Sequence, residues 1–143
     1  EMGFGNFSQT GAKFESSSDG NLLLPAGIWH ITIDLNNMAI DAKQYTQVDI
    51  MGSFNGWSDP MVMTYDAAAN VWKSPSALDA GTEFKFRLNN SWDINYGGGT
   101  DASELYPDGF ELVQGAGNIL TPMKGVVCLH ANCTPWVVTY EAE

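Results

Sequence analysis

The sequence has little positive charge. Six Lys and Arg residues stand against 17 Asp and Glu residues, so the chain of 143 residues carries a net charge of -11. Because phosphate backbones and anionic lipid surfaces repel a chain this acidic, we do not expect nucleic acids or membrane surfaces as partners. Neutral partners, sugars among them, meet no such repulsion.

Long apolar runs are also missing. No stretch approaches the roughly 20 apolar residues that a membrane-spanning helix requires, and no signal peptide is visible. The chain starts abruptly with "EMGFGNFS". We therefore expect it to be a piece of a longer protein whose targeting segment lies upstream.

Motifs of catalysis and metal binding are absent too. The sequence has no nucleophile elbow, HExxH, P-loop or GxGxxG. Nothing marks Asp93 and Asp101 as the converging carboxylates that a glycosidase uses. The loop containing Asp101, Glu104 and Asp108 lacks the D-x-D-x-D-G pattern of a calcium site. We expect no catalysis, no cofactor and no bound metal.

Cysteine is scarce, and both residues, Cys128 and Cys133, lie in "CLHANC". A zinc site needs about four ligands, so these two thiols and His130 are a poor start for one. Two further interpretations stay open. The pair forms a disulfide if the chain reverses between them, because their strand parity differs. Otherwise they are small apolar residues on neighbouring positions of one hairpin.

Short strand signals and turn clusters dominate the rest of the chain. Hydrophobic residues make up 44%, with 15 Gly and 6 Pro. Apolar and polar residues alternate in "TQVDIMGS" and "TEFKFRL", and clusters such as "NGWSDP" and "GGGTDAS" separate the strands. No window predicts an amphipathic helix. Short strands at a spacing of roughly 8–12 residues are typical of a β-sandwich.

An internal repeat organises the chain. "GNLLLPAGIWHITIDLNNMAI" begins at Gly20, and "GNILTPMKGVVCLHANCTPWVV" begins at Gly117. A period of about one hundred residues fits tandem domains rather than a solenoid. We expect residues 1–40 to be the closing strands of a preceding domain and 41–143 to be a complete one, with "DAKQYTQ" as linker. The alternative is a single domain with two similar strand pairs.

The first copy predicts a strand with one buried face. Trp29, Ile31, Ile33 and Leu35 alternate with polar residues. In the second copy, Val127 and its neighbours at the same parity occupy the matching positions.

The stretch "FKFRLNNSWDINYGGG", from Phe84 to Gly99, sets aromatic residues among asparagines and glycines. Aromatic residues usually lie inside a protein. A sugar site, however, needs an indole against the apolar face of a pyranose and Lys, Arg, Asn or Asp at its hydroxyl edges. Trp57, in "GSFNGWSDP", and Trp92 are candidates for this platform, with Lys85 beside them. The other interpretation is that each Trp closes an end of the sandwich.

Five blocks carry a family resemblance. These blocks are "GSFNGW", "MTYDAAANVW", "AGTEFKFRLNNSWDINYGG", "GNILTP" and "TPWVVTYE". Together they resemble a domain of the SusE/SusF outer-membrane starch-binding lipoproteins of Bacteroidetes, over about residues 45–141. The first copy of the repeat resembles the tail of a preceding domain of such a protein. More distantly, "GSFNGW" and "FKFRLNNSW" are similar to the glycogen-binding modules of AMP-activated protein kinase β subunits.

The resemblance implies a fold, a function and a site. The fold is an all-β, immunoglobulin-like β-sandwich of the carbohydrate-binding-module type. The function is non-catalytic binding of starch or maltooligosaccharides in a lipid-anchored, cell-surface protein of the outer membrane, with other outer-membrane glycan-uptake proteins as partners. Motif onto motif, the glucan site falls on Trp57, Lys85 and Trp92. Candidate residues at its rim are Asn89, Asn90, Asp93, Asn95 and Tyr96. Arg87, on the polar face of the same strand as Lys85, is a further candidate for ligand binding.

Two other functions remain open beside α-glucan binding. The domain is a structural spacer or interaction domain of the same surface complex, or it binds a different glycan. The spacer interpretation predicts that Trp57 and Trp92 are buried.

Overall fold

The computed structural model describes residues 7–11, 15–16, 22–25, 28–99, 103–133 and 135–143. Strands account for 54% of the structure and helix for 3%, which confirms the prediction of an all-β fold. The chain divides into two compact units, Glu1–Thr46 and Gln47–Glu143. Among the described residues, none lies in a helix long and apolar enough to cross a bilayer.

The described residues of the first unit contain five strands. They are β1 (Ser8–Gly11), β2 (Glu15–Ser16), β3 (Leu22–Leu23), β4 (Ile28–Asp34) and β5 (Ala39–Tyr45). Strand β5 is central in a three-stranded sheet, parallel to β1 and antiparallel to β4, while β2 and β3 pair with each other.

The prediction of a buried face on the first strand of the repeat is wrong for three of the four apolar residues that it named. Ile31 and Ile33 of β4, and Leu35 just beyond its end, are 45%, 48% and 65% exposed. The β5 residues opposite the two isoleucines are buried, since Ile31 lies opposite Ala42 and Ile33 opposite Ile40. The alternation therefore marks an apolar face, but β4 is an edge strand and its side chains lie outside the covered part of that face.

The predicted linker is also wrong. Residues 41–45 of "DAKQYTQ" continue strand β5, and the boundary between the units falls after Thr46. Apolar Ile40 and Ala42 alternate within this strand and are both 1% exposed. The polar residues between them look like a linker in the sequence because they occupy the other face of the strand.

The part of the second unit that the structure describes contains twelve short strands and one 3-10 turn, Ser53–Asn55. The strands are β6 (Val48–Gly52), β7 (Met61–Val62), β8 (Thr64–Asp66), β9 (Val71–Lys73), β10 (Glu83–Leu88), β11 (Ser91–Gly97), β12 (Ser103–Glu104), β13 (Phe110–Glu111), β14 (Val113–Gln114), β15 (Ile119–Leu120), β16 (Gly125–His130) and β17 (Val137–Ala142).

These strands form two sheets. In the seven-stranded sheet, one edge of β10 pairs with β6, which also pairs with β7. The other edge of β10 pairs first with β15 and then with β11. Strand β12 pairs with β15 and β14 pairs with β11, so these two lie outermost. The five-stranded sheet has the order β13-β17-β16-β9-β8.

The core lies between the inward faces of the two sheets. Phe84, Phe86 and Leu88 of β10 are at most 2% exposed, and so are Val127 and Leu129 of β16. Burying a side chain of this size stabilises the fold by roughly 1.5–3 kcal/mol. Lys85 and Arg87 alternate with the β10 core residues and therefore lie on the opposite side of that sheet, called here the outer face.

Both cysteines are free thiols, so the disulfide interpretation is wrong. Cys128 lies on β16 opposite Lys73 and Thr139, whereas Cys133 lies beyond the end of the strand. The two therefore do not face each other across a hairpin. Burial raises the pKa of the Cys128 thiol to about 11, while Cys133 is exposed.

Candidate functional site

Trp57 and Trp92 come together on the outer face. Their ring centroids are 6.2 Å apart and their planes are inclined by 38°. Trp92 is 44% exposed and Trp57 is half-buried. The structure thus brings together two residues that are 35 positions apart in the chain, and it leaves an accessible aromatic surface there. We call these two side chains the tryptophan pair.

A strained loop presents Trp57. After β6 the chain forms the 3-10 turn, and Gly56 and Trp57 follow with φ of 64° and 62°. The left-handed conformation costs a residue other than glycine about 1–2 kcal/mol. The Trp57 N–H donates to the Gly52 carbonyl at 2.9 Å, and the Ser58 hydroxyl donates to the Asn55 carbonyl at 2.7 Å. Hydrogen bonds of the loop therefore hold Trp57 in a conformation that it does not favour by itself.

A tight turn and a bulge present Trp92. Asn89 and Asn90 both have φ of 54°, as a two-residue turn between antiparallel strands requires. Leu88 pairs with Ser91, but the next pair along β10 is Arg87 with Asn95. Residues 92–94 therefore have no partner on β10 and bulge out of the ladder, so that the indole is displaced from the pleated surface.

Hydrogen bonds close this bulge. The Asn95 side-chain amide donates to the Trp92 carbonyl at 2.9 Å, and the Asp93 N–H donates to the Ser91 hydroxyl at 3.2 Å. The Asn95 Oδ1 is buried and has no hydrogen-bond partner among the described residues. Asp93, the residue after Trp92, is exposed.

The sequence led us to expect an exposed Arg87, but the side chain is buried. It is 7% exposed, and its Nε donates to the Asp49 Oδ1 at 2.9 Å. Its Nη2 lies 2.6 Å from the Asn90 Oδ1, and its Cζ lies 5.3 Å from the centroid of the Trp92 ring. The guanidinium is covered because Asp49 attracts it from the adjacent strand and Trp92 packs over it.

Lys85 lies on the same outer face, two positions before Arg87, and is half-buried. Burial lowers its pKa. In the described part of residues 47–143, the other cations have carboxylate partners: Lys73 with Glu141 at 2.8 Å, Lys124 with Glu143 at 3.4 Å, and Arg87 with Asp49. No acid or hydrogen-bond acceptor of these residues pairs with Lys85, so its ammonium is available to a ligand oxygen.

Tyr96 does not join the tryptophan pair. Its register opposite Phe86 puts it on the inward face of β11, where it stacks on Trp136 with centroids 4.6 Å apart. The sequence suggested otherwise because the bulge reverses which residues of β11 point outward. The glycines that follow have an architectural reason, since a Cβ at Gly97 would lie 1.9 Å from the Gly117 carbonyl oxygen.

Asp49 was not among the residues predicted from the sequence. It is 0% exposed, and its carboxylate accepts hydrogen bonds from the Arg87 guanidinium at 2.9 Å and from the Gln47 side-chain amide at 3.1 Å. An acid between two buried apolar residues of a strand was a visible signal. Its meaning depended on which strand lies opposite, and the sequence does not give that register.

The described residues include no group of three or more His, Cys, Asp or Glu side chains arranged to hold a metal ion. Asp101, one acid of the loop considered for calcium, lies outside the described residues. No family model and no curated protein sequence matches the chain.

Proposed function

We propose that residues 47–143 form a non-catalytic glycan-binding domain that captures α-glucans such as starch and maltooligosaccharides. The observation that carries this proposal is the partly exposed tryptophan pair on the outer face of the sheet, a face that also carries Lys85, which has no acid partner among the described residues. An indole removes the C–H face of a pyranose from water, and an ammonium donates to ring-edge hydroxyls. In this proposal Trp57 and Trp92 stack on the sugar rings and Lys85 bonds a hydroxyl.

The inclination of the two rings favours a curved ligand. Planes inclined by 38° do not form one flat surface. A glucan with α-1,4 links turns from ring to ring and follows such a surface, whereas a β-1,4 chain is extended and flat. The charge of -11 favours an uncharged polysaccharide over an acidic one.

Affinity per site is expected to be weak. A shallow surface covers little of the ligand, and hydroxyls must exchange water for protein partners. Several such domains in one protein would offset this by avidity. The resemblance to SusE/SusF proteins supports a lipid-anchored location on the cell surface and outer-membrane glycan-uptake proteins as partners, and both belong to this proposal.

Native affinity electrophoresis tests the proposal. We expect amylopectin or glycogen in the gel to retard the protein and hydroxyethyl cellulose to leave its mobility unchanged, with and without a chelator. Trp57→Ala and Trp92→Ala should abolish retardation, while Trp72→Ala, a half-buried Trp on the other sheet, should keep it.

The negative outcomes are distinct. Retardation by another polysaccharide alone would refute the α-glucan assignment and keep the glycan-binding domain. Unchanged mobility on a broad panel of polysaccharides would refute glycan binding and support the spacer interpretation.

A further inference from the structure

The guanidinium of Arg87 has its donors directed at protein groups. Its Nε and Nη2 reach the two Asp49 carboxylate oxygens at 2.9 and 3.4 Å, and Nη2 also reaches the Asn90 Oδ1 at 2.6 Å. With 7% of the residue exposed, little of it is accessible to a ligand. A direct contact between Arg87 and a sugar therefore has no support in the geometry.

Trp92, by contrast, packs against the Arg87 guanidinium. It lies in the bulge of residues 92–94, where no strand residue of β10 pairs with it. One side of its indole is over the Arg87 guanidinium, 5.3 Å from ring centroid to Cζ, and Trp57 lies beside it. A planar cation beneath an aromatic face attracts it and limits its rotamers.

Asp49 in turn holds the guanidinium in place. It lies directly opposite Arg87 in the register of β6 and β10, is 0% exposed, and also accepts a hydrogen bond from Gln47. A two-point contact between carboxylate and guanidinium fixes the plane of the guanidinium as well as its position. A lysine has a point charge and three rotating donors, so it would fix neither.

We infer that Arg87 and Asp49 are positioning residues that hold the indole of Trp92 in its binding orientation, without contacting the ligand. This inference rests on the proposed function for its binding readout, although the orientation of Trp92 is measurable without any ligand. It replaces the expectation that Arg87 contacts the glycan.

The test must remove the cation without leaving a buried, unpaired Asp49. Replacing a buried ion pair by apolar residues of similar volume is often neutral or stabilising, whereas removing one partner is strongly destabilising. The double variant Arg87→Met with Asp49→Leu therefore should stay folded, as a thermal melt would verify. Arg87→Lys is the conservative companion, because it keeps the charge and loses the planar fork.

Two signals are then recorded. The first is the indole N–H resonance of Trp92 in an NMR spectrum without ligand, assigned by its loss in Trp92→Phe. The second is the Kd for maltoheptaose. We expect the Trp92 resonance to shift and broaden in the double variant, and the Kd to rise about tenfold. Arg87→Lys should fall between the wild type and the double variant in both signals.

A further comparison separates support from contact. In a Trp92→Ala background, the double variant should add no further loss of affinity, since the two changes act through one side chain. An unchanged Trp92 resonance in the folded double variant would overturn the inference, whether or not affinity falls. If the wild type binds no maltoheptaose, the proposed function fails, and the ligand-free resonance still decides whether Arg87 positions Trp92.

Discussion

Replacing Trp92 by Ala separates a binding surface from a core residue. Trp92 is 44% exposed. For a Trp side chain of about 250 Å², the accessible part is about 110 Å². Covering all of it would contribute about 2.5–3 kcal/mol at 25 cal/mol per Å². A sugar covers only part of that surface, so we expect Trp92→Ala to cost about 2 kcal/mol of binding, which is roughly 30-fold in Kd.

The same change should destabilise the fold less than the loss of a fully buried Trp would. The variant loses the contact with the Arg87 guanidinium at 5.3 Å and the contact with Trp57 at 6.2 Å. Such contacts contribute about 0.5–1.5 kcal/mol each. We expect the free energy of unfolding to fall by about 1–3 kcal/mol, compared with roughly 3–5 kcal/mol for a fully buried Trp.

The assay is calorimetric titration with maltoheptaose at a temperature where every variant is folded, beside urea unfolding. Trp72→Ala is the matched control. Trp72 is also half-buried and packs on an aromatic ring, that of Tyr65, with centroids 5.1 Å apart. It should lose comparable stability and keep the Kd. Wild-type affinity in Trp92→Ala, or equal losses of affinity in both variants, would refute the reasoning.

Three further predictions concern other residues. Burial lowers the pKa of Lys85, so between that pKa and the usual 10.5 the unfolded chain binds more protons and stability rises with pH. Burying the Lys85 ammonium therefore costs folding stability at neutral pH, so Lys85→Met should weaken glycan binding while urea unfolding shows no loss of stability. Lys73→Met, which breaks the pair with Glu141, should keep glycan binding and lose stability. Because Trp57 has φ of 62°, the free energy of unfolding of Trp57→Gly should be about 1 kcal/mol higher than that of Trp57→Ala in urea unfolding. The opposite order would show that the loop is unstrained. At mildly alkaline pH, iodoacetamide should modify exposed Cys133 only, because the pKa of Cys128 is about 11; mass spectrometry of the native protein showing two adducts, or none, would contradict the assigned burial.

The pattern of neighbouring residues was sufficient to predict the secondary structure of the second unit. Phe84 and Phe86 alternate with Lys85 and Arg87, and the strand period of two sends the first pair inward at 0% exposure. Turn-forming residues such as Asn89 and Asn90 mark where the chain reverses, because they accept positive φ. These properties depend on neighbouring residues, so the sequence determined the all-β class and most strand positions.

Which residues meet was decided by the tertiary structure. The three-residue shift between the pairs Leu88–Ser91 and Arg87–Asn95 moves Trp92 out of the ladder and turns Tyr96 inward, and nothing within "NNSWDINYGG" specifies it. Likewise, Arg87 is buried because the register of another strand sets Asp49 opposite it. The exposure of Ile31 follows from its place on an edge strand. Each of these outcomes depends on strand register and on what covers a face, and both arise from contacts between residues distant in the chain.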